Sequence, residues 1–256
     1  MNRPLAAAEL AVVVGATGAF GQAIVARLIA AGLGVVAVAR QLDALARLKN
    51  VQGTALITCA ADIAQDAAIV SIADAVGGRP VRMVVHGPGV AVAGGILTAP
   101  TASLADAVNI KAGGMLRLVR AVDAQLVAGA RLVAIAGHYG LEPSAYAAGP
   151  GVANAALFNL MRQLSLAYGP RGITAHTLAP GPADTERLHR VAAERARQKG
   201  CTLEVILQDM RAESSLGQFT TPEQVAWAVS LLLAPEADAM TGSTLMLDAG
   251  RRRGLP

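Results

Sequence analysis

Aromatic residues are scarce in this chain. Phe, Trp and Tyr make up 3% of its 256 residues, too few for an aromatic-rich β-sandwich core or a base-stacking nucleic-acid surface. The apolar content, 54% of residues, is mostly Ala, Val and Leu, which suits helices packed closely on a sheet. Cysteine is nearly absent. Cys59 and Cys201 provide neither a disulfide framework nor a metal-ligand cluster and read as small hydrophobes in a reducing cytoplasm. No set of His, Cys, Asp and Glu has metal spacing, so no metal is expected.

Charge blocks are missing too. The net charge of +4 could draw an anionic partner, but the basic residues are scattered. In the segment 186–199 they interleave with Glu186 and Glu194, as on a solvated helix face, and Arg251, Arg252 and Arg253 read as a short tail after the last strand. Nucleic-acid binding is therefore not expected. The most apolar stretch, 10–39, is broken by Gln22, Arg27 and glycines and changes period from strand-like to helical, which argues against a signal peptide or membrane span. The expectation is a soluble, cytoplasmic protein.

A chain this long can bury roughly 70–75% of its unfolded surface without disulfides or metal. Strand-like runs at 11–15, 34–39, 55–58, 82–86, 131–136, 173–178 and 243–247 alternate with helical periods, with long helices expected over 103–126 and 151–167. The alternation has neither linker nor repeat. It predicts one α/β domain over 1–256, a three-layer, doubly wound, Rossmann-like parallel sheet of about seven strands with helices on both faces.

Ligands in such a sheet bind at the carboxyl ends of the strands, near the switch point. There lies the run GATGAFG, with Gly15, Gly18 and Gly21 between an apolar strand and a helical period. Such glycines permit a tight turn, let a pyrophosphate approach the backbone, and seat the helix on the sheet, with phosphate at the helix N-terminus. The alternative is a strand-turn-helix with no ligand. The second strand closes with Ala39 and Arg40. The ribose-binding carboxylate of an NAD site is missing and a guanidinium follows, as a 2′-phosphate of NADP requires, although a surface arginine fits the same pattern. Asp62 could accept from an adenine amine or cap a helix. His176 reads as a core or edge histidine.

These residues resemble the short-chain dehydrogenase/reductase family over 10–250. The signals run in order: the glycine turn, Asp62, VNIK with Asn109, PGPADT from Pro180 to Thr185, TPEQVA from Thr221, and TGSTLMLDAG from Thr241. The resemblance implies NADP(H) binding through Gly15, Thr17, Gly18, Phe20 and Gly21, through Arg40, Asp62 and Ile63, through Gly87 and Asn154, and through Pro180, Gly181 and Thr185. It also implies a homodimer or homotetramer and a small-molecule ligand.

Three departures stand out. The family reduces carbonyls or oxidises alcohols with Ser, Tyr and Lys, assisted by Asn; an ungapped count places those first three positions on Gly137, Pro150 and Asn154. Glycine has no hydroxyl, proline nothing to ionise, and asparagine no charge. A fourth departure, HGPG from His86, stands where the family shows an NNAG-like turn. Asn109 remains, and His138, Tyr139 and Tyr146 lie nearby as substitute acids or as plain loop residues. Two readings follow: an NADP(H)-binding relative that has lost the usual redox activity and serves a binding, regulatory or assembly role, or an NADP-dependent oxidoreductase or non-redox enzyme working through His138 and Tyr139.

Overall fold

The computed structural model describes residues 9–92 and 94–254; residues 1–8, 93, 255 and 256, which the expected domain includes, lie outside it. Seven strands form one parallel sheet: β1 (Leu10–Val14), β2 (Gly34–Ala39), β3 (Leu56–Ala60), β4 (Val81–His86), β5 (Leu126–Ile135), β6 (Thr174–Pro180) and β7 (Thr244–Leu247). Their order is β3-β2-β1-β4-β5-β6-β7. Parallel neighbours need crossovers, supplied by α1 (Ala19–Ala30), α2 (Leu42–Gln52), α3 (Ala67–Val76), α4 (Thr101–Val108), α5 (Gly114–Val122), α6 (Ala148–Tyr168), α7 (Glu186–Lys199), α8 (Leu203–Ala212) and α9 (Pro222–Leu231).

Strand periodicity decides which helix covers which face. Val12 and Val14 of β1, with Val36 and Val38 of β2, point to a core shared with Ile72 of α3, Leu118 of α5 and Leu157 of α6. Ala11 and Val13, with Val35 and Ala37, point to the opposite core, closed by Ile24 and Leu28 of α1, Leu45 of α2 and Val225 and Val229 of α9. Strands buried on both faces read as near-continuous Val/Ala runs for this reason. Chain order reverses between β1 and β4, so their carboxyl ends open a crevice there.

Two expectations from sequence are corrected. The long helix of 103–126 begins at Thr101 and is interrupted by a π-helical turn, Asn109–Gly113, and Leu126 belongs to β5. The small residues Ala112, Gly113 and Gly114 kept the apolar period without recording the extra residue of the π turn. Strand β5 starts five residues before Arg131, because the pairing with β4 jumps from Val81↔Leu126 to Met83↔Arg131 and Gly129 adopts φ 78° within it.

Arg131 of β5 is 3% exposed and ties the far end of the sheet together. Its guanidinium donates to the carbonyls of Leu232 at 2.6 Å and Ala234 at 3.1 Å, to Oγ1 of Thr174 at 2.9 Å, and pairs with Asp238. These carbonyls end α9, where a cation is favoured. Asp238 is 63% exposed and rehydrates if the arginine is lost; the Leu232 carbonyl does not. Arg131→Leu is therefore expected to lower unfolding stability by about 2–3 kcal/mol, read as a lower denaturant midpoint with an unchanged m-value.

Candidate functional site

The crevice begins at the glycine turn. Gly15 adopts φ +82°, and a Cβ there would lie 3.0 Å from the Gly87 carbonyl group. At Gly21 the Cβ would meet the Gly15 oxygen at 2.2 Å, so α1 sits on the turn as only glycine allows. Gly18 precedes α1 with no side-chain cap, and the first helical turn holds no acid. Its leading N–H groups are thus left for an anion. Thr17 offers its carbonyl to Nε2 of Gln22 at 2.9 Å, and Phe20 packs into the core shared by α1 and α9. The cradle presents the uncapped N–H donors that a dinucleotide pyrophosphate needs.

At the end of β2, Arg40 is exposed. Asp62 is exposed, and its Oδ1 accepts from the Ala64 N–H at 3.1 Å in the turn that leads to α3; it is not the helix cap, a position that Asp66 holds, while Ile63 is buried. Across the crevice, Gly87 donates its N–H to the Val14 carbonyl at 3.0 Å. Pro180 ends β6, and Gly181 donates to the Leu247 carbonyl at 3.0 Å, its Cα hydrogens facing Asp248 where a Cβ would come within 3.0 Å. Thr185 is the N-cap of α7, accepting from Leu188 N–H.

Asn109 opens the π turn. Its Nδ2 donates to the Ala64 carbonyl at 3.0 Å and its Oδ1 accepts from Arg117 at 2.9 Å, so the side chain is committed to holding the 62–66 loop. Two residues on, the same turn buries Lys111, whose Nζ donates to the Ile135 carbonyl at 2.8 Å. Burial and the neighbouring Arg187 push this amine down to about 7. His86 at the end of β4 donates from Nε2 to the Ile110 carbonyl at 3.0 Å; burial first and Lys111 second push it down to about 3. Gly114 is small because a Cβ would meet that imidazole at 2.8 Å. Arg187 reaches from α7 to the Val90 carbonyl beside Gly89.

Gly137, Asn154 and Gly140 lie together. Asn154 is 5% exposed; its Nδ2 lies 3.0 Å from where a Gly137 Cβ would be, and its Oδ1 has no hydrogen-bond partner. Pro150 is buried in the first turn of α6, where a missing N–H costs nothing. His138 follows in a 3-10 turn, Gly137 being its N-cap. Burial first, then Arg251, pushes its imidazole down to about 4, and it bonds to the Pro180 carbonyl. Nε2 has no partner, so that bond uses Nδ1, and the neutral ring leaves the Nε2 lone pair open.

His138, Tyr139 and Tyr146 all line one cleft of about 470 Å³. Tyr146 lies outside the helix, its ring beneath the Arg195 guanidinium at 4.0 Å, and Tyr139 bonds to Arg251. The arginine triplet is not the free tail expected from sequence. Asp248, 7% exposed, accepts from the N–H groups of Gly250 and Arg252 at 3.1 and 3.0 Å and folds the chain back, so that Arg251 and Arg253 line the cleft. The helix read as a solvated charged face likewise buries Leu188, Ala192 and Ala196 and turns Arg195 and Lys199 to the cleft. Lys111 and Arg187 were missed for a similar reason: the π turn that buries one, and the reach of the other across the crevice, leave no mark in a linear pattern. No group of three or more His, Cys, Asp or Glu among the described residues could hold a metal. No described helix is long and apolar enough to cross a membrane.

A family model described as Enoyl-(Acyl carrier protein) reductase matches residues 15–252. The short-chain dehydrogenase/reductase eriH of Hericium erinaceus is 30% identical over 268 residues, covering 96% of this chain and 99% of its own. Three other curated relatives align over 91 to 108 residues, so that the chain spans only 33–40% of their length. Among solved structures, an NADPH-bound short-chain oxidoreductase of Pseudomonas aeruginosa PAO1 containing an atypical catalytic center shares 22% identity and a TM-score of 0.85 over 96% of this chain and 98% of that one. Actinorhodin polyketide ketoreductase with NADPH shares 25% identity and a TM-score of 0.85, over 95% and 97% of the two chains. With the switch-point crevice, the glycine cradle and a match over nearly its whole length, the chain belongs to the short-chain dehydrogenase/reductase family.

Proposed function

We propose that this is an NADP(H)-binding short-chain dehydrogenase/reductase that has lost the usual carbonyl/alcohol redox activity and serves a binding, regulatory or assembly role. One observation carries the loss: the side chain nearest Gly137 is an asparagine amide with a buried, unpartnered oxygen, where the family pattern calls for a serine hydroxyl and a lysine ammonium. A second reading, chemistry through substitute residues, rests on the buried, unpartnered Nε2 of His138 beside that position.

The cofactor reading draws on the cradle at Gly15, Gly18 and Gly21, on the exposed Arg40, and on the NADPH carried by the Pseudomonas and actinorhodin proteins. Bound there, the cofactor would supply a hydride; the protein's own part is to hold its phosphates and ribose. Asp62, Ile63, Gly87, Asn154, Pro180, Gly181 and Thr185 are proposed as the remaining contacts. A charge-assisted bond from Arg40 to the 2′-phosphate contributes about 1.5–3 kcal/mol. Calorimetry should therefore show NADPH binding about tenfold to a hundredfold tighter than NADH, with Arg40→Ala erasing most of the gap. Equal affinities in the unmodified protein would remove Arg40 from the site.

Purified protein with NADPH and a panel of ketones, aldehydes and quinones should oxidise the cofactor slowly or not at all. Lack of a positioned general acid alone costs on the order of 10² to 10⁴ in rate, and the losses are not multiplied, because such groups act as a unit. Restoring a hydroxyl at 137 alone would press on Asn154 Nδ2, so the gain-of-function variant is Gly137→Ser/Pro150→Tyr/Asn154→Lys. Robust turnover by the unmodified chain, abolished by His138→Ala or Tyr139→Phe, would favour the second reading instead.

The subunits are proposed to form a homodimer or homotetramer. On α6, Val152 is 44% and Leu166 68% exposed. Leu104 and Val108 of α4 border an apolar groove, and β7 is a half-exposed outer strand. Assembly through these elements would cover this apolar surface. Light scattering at micromolar concentration is expected to give two or four times the chain mass; a monomer mass would reject assembly.

A further inference from the structure

The cleft beside His138 has more cations than its own acids can pair. Of the lining residues, Arg195, Lys199, Arg251 and Arg253 are positive and Glu142 and Glu213 negative. Glu213 pairs with Arg251. Glu142 pairs with Arg252 at 3.7 Å, its Oε1 also accepting from the Gly254 N–H at 3.3 Å. Arg195, Lys199 and Arg253 are left with no carboxylate partner among the described residues, and Arg195 is held in place by stacking on Tyr146 at 4.0 Å.

The backbone that presents these groups is built rather than trailing. Ala249, the only non-glycine among the described residues with positive φ, at 55°, turns the chain under Asp248. Its carbonyl accepts from the Leu216 N–H and the Ser215 hydroxyl, both at 3.2 Å. Backbone in this region is costly for a residue with a Cβ and persists where the surroundings impose it. At the other wall, His138 is 6% exposed and its Nε2 has no partner. A lone pair buried this way costs free energy until a donor reaches it.

We propose that this cleft binds a small hydroxylated organic anion. Its carboxylate or phosphate is met by Arg195, Lys199 and Arg253, and its hydroxyl donates to Nε2 of His138. Guanidinium forks suit either oxyanion, and Tyr139, fixed by Arg251, closes the side next to the imidazole. The ligand takes the place of counter-ions at the three free cations and satisfies the orphan acceptor. The proposal does not depend on the dinucleotide reading, since none of these residues belongs to the glycine cradle.

The test is calorimetry on the full-length protein without nucleotide, titrated separately with malate, glycerol 3-phosphate, succinate and glycerol. Malate or glycerol 3-phosphate should bind saturably, and whichever of the two is tighter identifies carboxylate or phosphate as the head group. Succinate, lacking the hydroxyl, should bind several-fold more weakly than malate, and glycerol, lacking the charge, not at all. Arg195→Ala/Lys199→Ala, on the face of α7 turned to the cleft, should weaken binding about tenfold or more. Arg120→Ala, an exposed arginine of α5, should not change it. Nitrogen NMR of the imidazoles supplies a second readout: His138 Nε2 should be unprotonated in the free protein and shift on saturation. No heat from either hydroxylated anion at millimolar concentration overturns the proposal. So does equal binding by the Arg195→Ala/Lys199→Ala protein, or binding of glycerol as tight as that of the anions.

Discussion

Helix α1 approaches the first turn so closely that a single methyl group would break the arrangement. A Cβ at Gly21 would fall 2.2 Å from the Gly15 oxygen and 2.7 Å from the backbone of Ala16, far inside any tolerated contact. This approach aims the uncapped start of the helix into the crevice between β1 and β4. It also sets the height at which α1 lies on the sheet, and hence how α9 packs beside it over the shared core of Val25, Leu28, Val225 and Val229. The end of α9 is in turn tied by Arg131 back to β5. The chain of contacts runs from the uncapped helix start at one end of the strands to a buried guanidinium at the other. A glycine that reads as a turn residue is thus a packing constraint on one whole face of the sheet.

The elements that were legible in sequence share one property: their signal is local. The Val/Ala-rich runs of β1 and β2 announce central strands, because strands buried on both faces must be apolar throughout, and the shorter apolar runs mark the others. The glycine spacing gives the turn, since φ +82° at Gly15 and the contact at Gly21 exclude larger residues. The illegible parts depend on residues far apart in the chain. The π turn at Asn109 shows itself only in what it does, turning Lys111 inward to the Ile135 carbonyl while Asn109 holds the 62–66 loop. The arginines after β7 resemble a solvated tail until Asp248 is seen to gather two backbone N–H groups beneath it. Asn154 could be placed in register by counting, but its contact with Gly137 could not.

That contact links two of the positions at which the chain departs from the family pattern. With a side chain at 137, the Asn154 amide would have to yield by a few tenths of an ångström; with lysine at 154, a longer chain would enter the same space. Glycine and asparagine are compatible neighbours here, and each makes return of the other to the family's residue harder. Pro150, buried in the first turn of α6 where no intrahelical N–H bond is lost, is equally stable where it stands. Gly137 and Asn154 therefore form a self-consistent pair, beside a proline that its helix position tolerates.

Positive charge is retained at the crevice although the ammonium expected at 154 is missing. Lys111 lies buried at the end of β5, Arg187 crosses to the Val90 carbonyl, and Arg251 stands near His138. Burying a cation without a carboxylate beside it is expensive, and the cost is visible in the lowering of Lys111 to about 7; Arg251 is compensated by Glu213, and His138, lowered to about 4, is neutral. A crevice that had simply lost its ligand would gain stability by exchanging such groups for apolar ones of similar size. These groups stand at the carboxyl ends of the strands, while Arg131 at the opposite end is committed to two carbonyls, the Thr174 hydroxyl and one aspartate, and they give this end of the sheet the charge that suits an anion.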